Sequence, residues 1–142
     1  VFLWQKQEGT KMENIVTFWK SLSEGFDKTL PSGAVVKIKL FPLEDYIARG
    51  RIPNALQSTA LAVFMSGGFG DQEDLENDIK FVDYVVAKSL VQPGAQLARK
   101  DVQEGEIFIK DIPWPDRLQI YLAAIKPEKV RLDFLSKPAA TE

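Results

Sequence analysis

The sequence contains no cysteine and no histidine. That double absence excludes thiolate nucleophiles, disulfide staples, structural zinc on Cys or His ligands, and every Ser-His-Asp arrangement. Chemistry built on carboxylates, Lys or Tyr survives, so the case for catalysis is weakened rather than closed. A basic excess is also lacking. With 18 Lys and Arg against 20 Asp and Glu, the formal net charge is −2, which removes the counterion-release drive behind general nucleic-acid binding. No apolar run approaches the ~20 residues that a bilayer-spanning helix needs. Zero cysteine suits a reducing cytosol and many exported proteins alike, so compartment stays open on that ground.

What is present is the balance of one folded domain. The chain has 142 residues, 45% hydrophobic and 27% charged, enough to bury a substantial core. There is no internal repeat and no low-complexity tract. Val1-Phe-Leu-Trp4 is apolar but far too short for a signal-peptide core. Met12 could serve as an internal start, making residues 1–11 an extension.

From Glu13 to Phe26, Ile15, Phe18, Trp19, Leu22 and Phe26 fall on one helical stripe, with Gly25 as a stop. Leu30-Pro-Ser-Gly33 reads as a turn. Val35 to Phe41 alternates, with Val36, Ile38 and Leu40 facing one way and Lys37 and Lys39 the other, a strand with one wet face. Pro42 opens a short helix through Arg49, with Leu43, Tyr46 and Ile47 inward and Gly50 at its end. Gly50-Arg-Ile-Pro-Asn54 is a corner in which Ile52 is expected to be buried and Asn54 to cap the next helix. That helix covers Ala55 to Met65, with Leu56, Ala60, Leu61 and Phe64 as its core side.

Asp71 to Leu90 is the longest periodic segment, with Leu75, Ile79, Val82, Val86 and Leu90 on one face, widened by Phe81 and Val85. Gln96 to Glu106 reads as an exposed loop, Ile107-Phe-Ile109 as a second short strand, and Pro113-Trp-Pro115 as the entry to a final helix carrying Leu118, Tyr121, Leu122 and Ile125. Val130 to Leu135 is a last apolar piece. The expected fold is therefore α+β and mostly helical, one small domain with one or two short strands packed against four to five helices. Residues 1–29 form an N-terminal extension and amphipathic helix, 30–137 a helix-rich core, and 138–142 a loose tail. Ile38, Leu61, Val82, Val86, Leu118 and Leu122 are expected to share the core.

Three features resemble chemical sites, and each has a plainer reading. Gly67-Gly-Phe-Gly70 lacks the Gly-Lys-Ser/Thr ending of a phosphate loop and follows a helix, so it reads as a flexible loop. The acidic run Asp71 to Asp78 places Leu75 at a position where calcium needs an oxygen ligand, and it complements a helix dipole instead. Glu44 with Asp45, or Asp111 with Asp116, have no spacing that specifies an acid-base pair. No catalytic, cofactor-binding or metal residue is assigned, and no cofactor is expected. The aromatics are more informative. Phe2, Trp4, Phe18, Trp19 and Phe26 crowd the N-terminal end. Core packing competes with a partner surface there, and Phe2, Trp4 and Trp19 are the candidate partner-binding residues.

From Leu30 onward the chain resembles the tail assembly chaperones of long-tailed bacteriophages, over residues 30–137. The likeness rests on four pieces in order: Leu30-Pro-Ser-Gly-Ala-Val-Val-Lys-Ile-Lys39, an opening turn and basic strand; Leu43-Glu-Asp-Tyr-Ile-Ala-Arg-Gly-Arg-Ile-Pro-Asn54, a short helix ending in G-R-I-P-N; Ala87-Lys-Ser-Leu-Val-Gln-Pro93, closing a long helix; and Ile109-Lys-Asp-Ile-Pro-Trp-Pro-Asp116, the entry to the last helix. Where the family commonly carries Asn-Pro after the I-P step, Asn54 is here followed by Ala55. The resemblance implies a non-catalytic protein of the host cytoplasm that binds the tape measure protein or other phage tail proteins during tail assembly. Self-association through the N-terminal aromatics is expected as well, and neither nucleic acid nor a membrane is an expected partner. A structural virion subunit, a head-tail or tail accessory protein, is the alternative. For the chaperone role the physical means is an apolar groove that amphipathic helices offer to another helix.

Overall fold

The computed structural model describes residues 14–66 and 74–125. The first helix, α1, covers residues 14–24. It stops at Gly25, whose φ of +130° is open to glycine alone and whose N–H donates to Ser21 O at 2.8 Å. The helix expected through Phe26 therefore ends earlier, and Phe26–Thr29 becomes strand β1. These residues, assigned by sequence to the N-terminal extension, belong to the central sheet. A four-residue edge strand has no alternation long enough to announce itself, and its partner supplies the signal.

That partner is β2, Val35–Ile38, antiparallel to β1 in the register Phe26↔Ile38 to Thr29↔Val35. The Pro31–Gly33 turn joins them, with Leu30 N–H donating to Ala34 O at 2.8 Å. Val36 and Ile38 are buried and Lys37 is exposed, the alternation expected. The strand is shorter than its pattern, because Phe41 N–H donates to Ala124 O, not to a strand.

Helix α2, Leu43–Ala48, follows, and Gly50 turns the chain with φ +66°. Ile52 at the corner is 4% exposed, as its place in the Gly50–Asn54 corner predicts. Arg51 N–H donates to Tyr46 O at 2.9 Å, and the Tyr84 hydroxyl donates to Arg51 O at 3.2 Å. A 3₁₀ turn, Asn54–Leu56, leads into α3, Gln57–Ser66. Asn54 makes no side-chain cap; its Oδ1 accepts from the Gln57 side chain instead.

The long helix α4 runs Leu75–Ser89 and is capped by Asp74, which accepts from Asn77 N–H at 3.1 Å. The expected start at Asp71, the Gly67–Gly70 loop, Val130–Leu135 and the 138–142 tail lie outside the described residues, as do Phe2 and Trp4. Leu75, counted on the inner face, is 69% exposed, because the capping turn carries it past the end of the core. Strand β3, Leu90–Gln92, completes a sheet in the order β1-β2-β3. Strand β4, Gly94–Gln96, pairs in parallel with β5, Glu106–Phe108. The span expected as one exposed loop thus begins and ends in a small second sheet, with 3₁₀ turns at Arg99–Asp101 and Ile109–Asp111. Helix α5, Trp114–Ile125, closes the described chain. The result is a small α+β domain dominated by helix.

Helix α4 is its axis. Phe81 through Val86 are all buried, so this stretch of the helix is enclosed on every side rather than along one stripe. Helices α3 and α5 pack against it, and β4 lies beside it. Within this apolar run sits Asp83, 3% exposed. Arg117 Nη1 of α5 reaches Asp83 Oδ1 at 2.7 Å, and Lys110 Nζ bonds Oδ2. Arg117 Nε also donates to Ile112 O at 3.1 Å. One carboxylate thus ties α4, the turn before α5 and α5 itself together. A buried charge persists only when paired and hydrogen-bonded in this way.

Of the expected core residues, Ile38, Val82 and Val86 are buried, and Leu118 and Leu122 are partly buried against the same cluster. Leu61 is a correction: it is 50% exposed, and so is Phe64 at 49%. Ala60 faces inward as expected, as does Leu56 of the preceding turn, with Thr59 and Val63 in place of Leu61 and Phe64. Because Val82 is 1% exposed, Val82→Asp is expected to lose about 3–5 kcal/mol of unfolding free energy, an uncompensated charge in an apolar interior. Chemical denaturation measures it; a midpoint equal to the parent's would contradict the assigned packing.

Candidate protein-binding site

Several ionisable side chains bond to other parts of the fold. Asp45 pairs with Arg49 at 2.9 Å and Asp111 with Arg99 at 3.1 Å, both near the surface. Asp116 is buried and accepts from Ser32 N–H at 3.1 Å and from the Ser32 hydroxyl, fastening the β1–β2 turn to the start of α5. Asp111 and Asp116 therefore act in separate places, not as a pair. Among the described residues no group of three acidic, His or Cys side chains could hold a metal ion. No helix among them is long and apolar enough to cross a membrane.

One carboxyl stands apart. Asp78 Oδ1 is buried with no hydrogen-bond partner. Burial, and then the charge of Asp74, raise its pKa above the ordinary value of 3.8. Nearby, burial raises the Tyr121 hydroxyl well above its usual range, with the Asp78 charge adding to it.

The apolar surface is where the structure is unusual. On α1, Trp19 is 65% exposed, with Ile15 and Val16 also exposed, and among its described residues only Leu22 is buried. Beside it runs a groove of about 380 Å³, lined by Phe18, Leu22 and Phe26 with Asn14, Thr17, Ser21 and Asp27. One wall is α1 and the other is β1, an edge strand. Since Leu30 N–H bonds Ala34 O, the antiparallel alternation turns the backbone groups of Phe26 and Lys28 toward β2 and those of Asp27 and Thr29 outward. A groove between a helix and an open strand edge suits an extended or helical peptide.

The second bare surface is α3. Leu61, Phe64 and Met65 lie at helical spacing of three and four on its outer side, and Met65 is 75% exposed. From Ile52 through Gly70 the chain carries no charged residue. An exposed helix face normally carries charge, and a helix without any is normally enclosed. Beside Leu61 a pocket of about 240 Å³ is lined by Ile47, Gly50, Ile52, Gln57 and Ala60. This patch was missed in the sequence because Leu61 and Phe64 read as core; the missing charge on their helix was the available signal. Trp19 is placed on the surface, whereas Phe18, taken with it as a stripe residue, lines the groove.

The sign of the Asp78 effect is testable. A folded-state pKa above the unfolded one means the native state holds its proton more tightly, so the penalty is absent below about pH 3.8 and grows as pH rises through the raised value. Asp78→Asn should therefore gain stability relative to the parent at pH 7 and lose that advantage in acid. Thermal melts at both pH values check this; a pH-independent difference would contradict it.

Comparison with known proteins places these surfaces in a family without assigning them a role. No curated protein and no solved structure matches the chain. A family model matches residues 17–141, from α1 through the whole described core. On that span the chain belongs to a family described as a family of unknown function (DUF7391).

Proposed function

We propose that the protein is a non-catalytic tail assembly chaperone of a long-tailed bacteriophage, acting in the host cytoplasm by binding the tape measure protein. The observation that carries this reading is the groove between α1 and the β1 edge, together with Trp19, 65% exposed on the same helix. A folded domain that keeps a large aromatic and an apolar groove bare favours association with another chain. The tape measure protein is a long helical polypeptide whose apolar segments need cover before the tail tube closes round them, and a groove for a helical or extended segment matches that need. The resemblance over residues 30–137 supplies the phage context. The ion pairs described above have structural partners, which fits a binding role.

Trp19→Ala is expected to weaken binding to tape measure fragments by about 2 kcal/mol, roughly thirtyfold in Kd, the scale of an interface tryptophan, without lowering the melting temperature. Deleting residues 1–11, which removes Phe2 and Trp4, should weaken it further. Calorimetric titration of purified fragments measures both. Mass spectrometry of purified particles separates the chaperone from a virion subunit: a chaperone is absent, whereas a subunit present at fixed stoichiometry would overturn this reading.

A further inference from the structure

We propose that two copies of this protein associate through α3, packed antiparallel about a two-fold axis beside Leu61, independently of the α1 groove and of the tape measure reading. Three observations specify a second copy as the occupant of this face.

The first is shape. The outer side of α3 carries the small Ser58 near its start, after Ala55 of the preceding turn, and the large Phe64 and Met65 at its end. Antiparallel packing centred on Leu61 sets Phe64 opposite Ser58 of the second copy and Met65 opposite its Gln57. Phe64 then meets the small Ser58, and Met65 lies along the aliphatic part of Gln57, a self-complementary arrangement.

The second is the missing charge. With no ionisable group from Ile52 through Gly70, a copy of this face meets itself with no like-charge opposition and no buried charge to desolvate.

The third is the charge at the two ends. Arg51, just before α3, stacks its guanidinium on Tyr46 at 4.8 Å and has no carboxylate partner among the described residues. At the other end, Asp74 and Glu76 are exposed, Asp74 as the cap of α4 and Glu76 in a surface ion pair with Lys80 at 3.1 Å. Helix α3 and the turn before it both pack on α4, and Tyr84, midway along α4, reaches Arg51 O; the proposed pairing takes α4 to run back along α3, with its acidic start toward the end of α3. Antiparallel pairing brings Arg51 of each copy to the Asp74–Glu76 end of the other. A ten-residue helix is only about 15 Å long, and its face falls short of the ~800 Å² per partner of a standard interface. The dimer is therefore weak and concentration-dependent.

The absence of cysteine makes the geometry directly readable. Under mild oxidation, Leu61→Cys should form a covalent dimer across the axis. Met65→Cys alone should not, because its two copies lie beyond disulfide reach, yet Met65→Cys mixed with Gln57→Cys should. In sedimentation velocity the parent should shift from monomer to dimer as concentration rises. Leu61→Asp should stay monomeric with an unchanged melting temperature, Arg51→Glu should weaken the dimer at least tenfold, and Arg51→Glu with Glu76→Lys should restore it. A parent that stays monomeric up to its solubility limit overturns the proposal. So does a dimer that survives Leu61→Asp, is lost on deleting residues 1–11, or cross-links equally well through Met65→Cys.

Discussion

The Asp83 carboxylate sits in the most enclosed stretch of the chain, and the elements around α4 are arranged to neutralise it. Arg117 from α5 and Lys110 from the preceding turn both bond to it. Removing Asp83 would strand the largely buried Arg117 guanidinium, which costs several kcal/mol, whereas removing the half-exposed Lys110 still leaves the Asp83–Arg117 pair intact. The consequence is geometric. α5 must lie along α4 in one register, and the turn that carries Lys110 must close against both. That register also brings Asp116 to the Ser32 turn and Ala124 O to the Phe41 N–H, which ties the strand hairpin to the helices.

With the body held in this way, the bare faces are what remain to be explained. Helix α4 is enclosed on all sides through Phe81–Val86, while α1 and α3 each bury only part of their apolar residues. The four sequence pieces that carry the phage resemblance lie mainly in the body. The Ser32 turn and Asp116 bond to each other, and the Gly50–Asn54 corner is fixed through Arg51 O and a buried Ile52. They therefore speak to the fold. The proposed role rests on what the fold leaves uncovered.

Much of the framework was legible in the sequence because it depends on local signals. The Val35–Ile38 alternation, the Gly50–Asn54 corner and the long α4 periodicity each carry their own pattern. What was not legible depends on partners distant in sequence. Strand β1 exists because β2 pairs with it, and the parallel β4–β5 pair joins segments that are individually three residues long. Asp83 gave a faint signal, a lone charge inside Phe81–Val86, that only the arrival of Lys110 and Arg117 explains. Leu61 and Phe64 were misplaced for a different reason. Helix α3 is apolar and uncharged around its axis, so its composition does not say which side faces the core. The same composition that hides the inner face marks the outer one as a surface to be covered.

The central claim is that the bare faces of α1 and α3 become covered while the Asp83-centred body stays as it is. Hydroxyl-radical footprinting tests this most directly, because Met65 and Trp19 are reactive side chains that are exposed in the isolated protein. Oxidation rates should be compared between dilute protein and the protein in assembling tails. The account predicts strong protection of Met65 and Trp19, with Phe81 and Tyr121 unreactive in both. Equal oxidation of Met65 and Trp19 in the two states would contradict it.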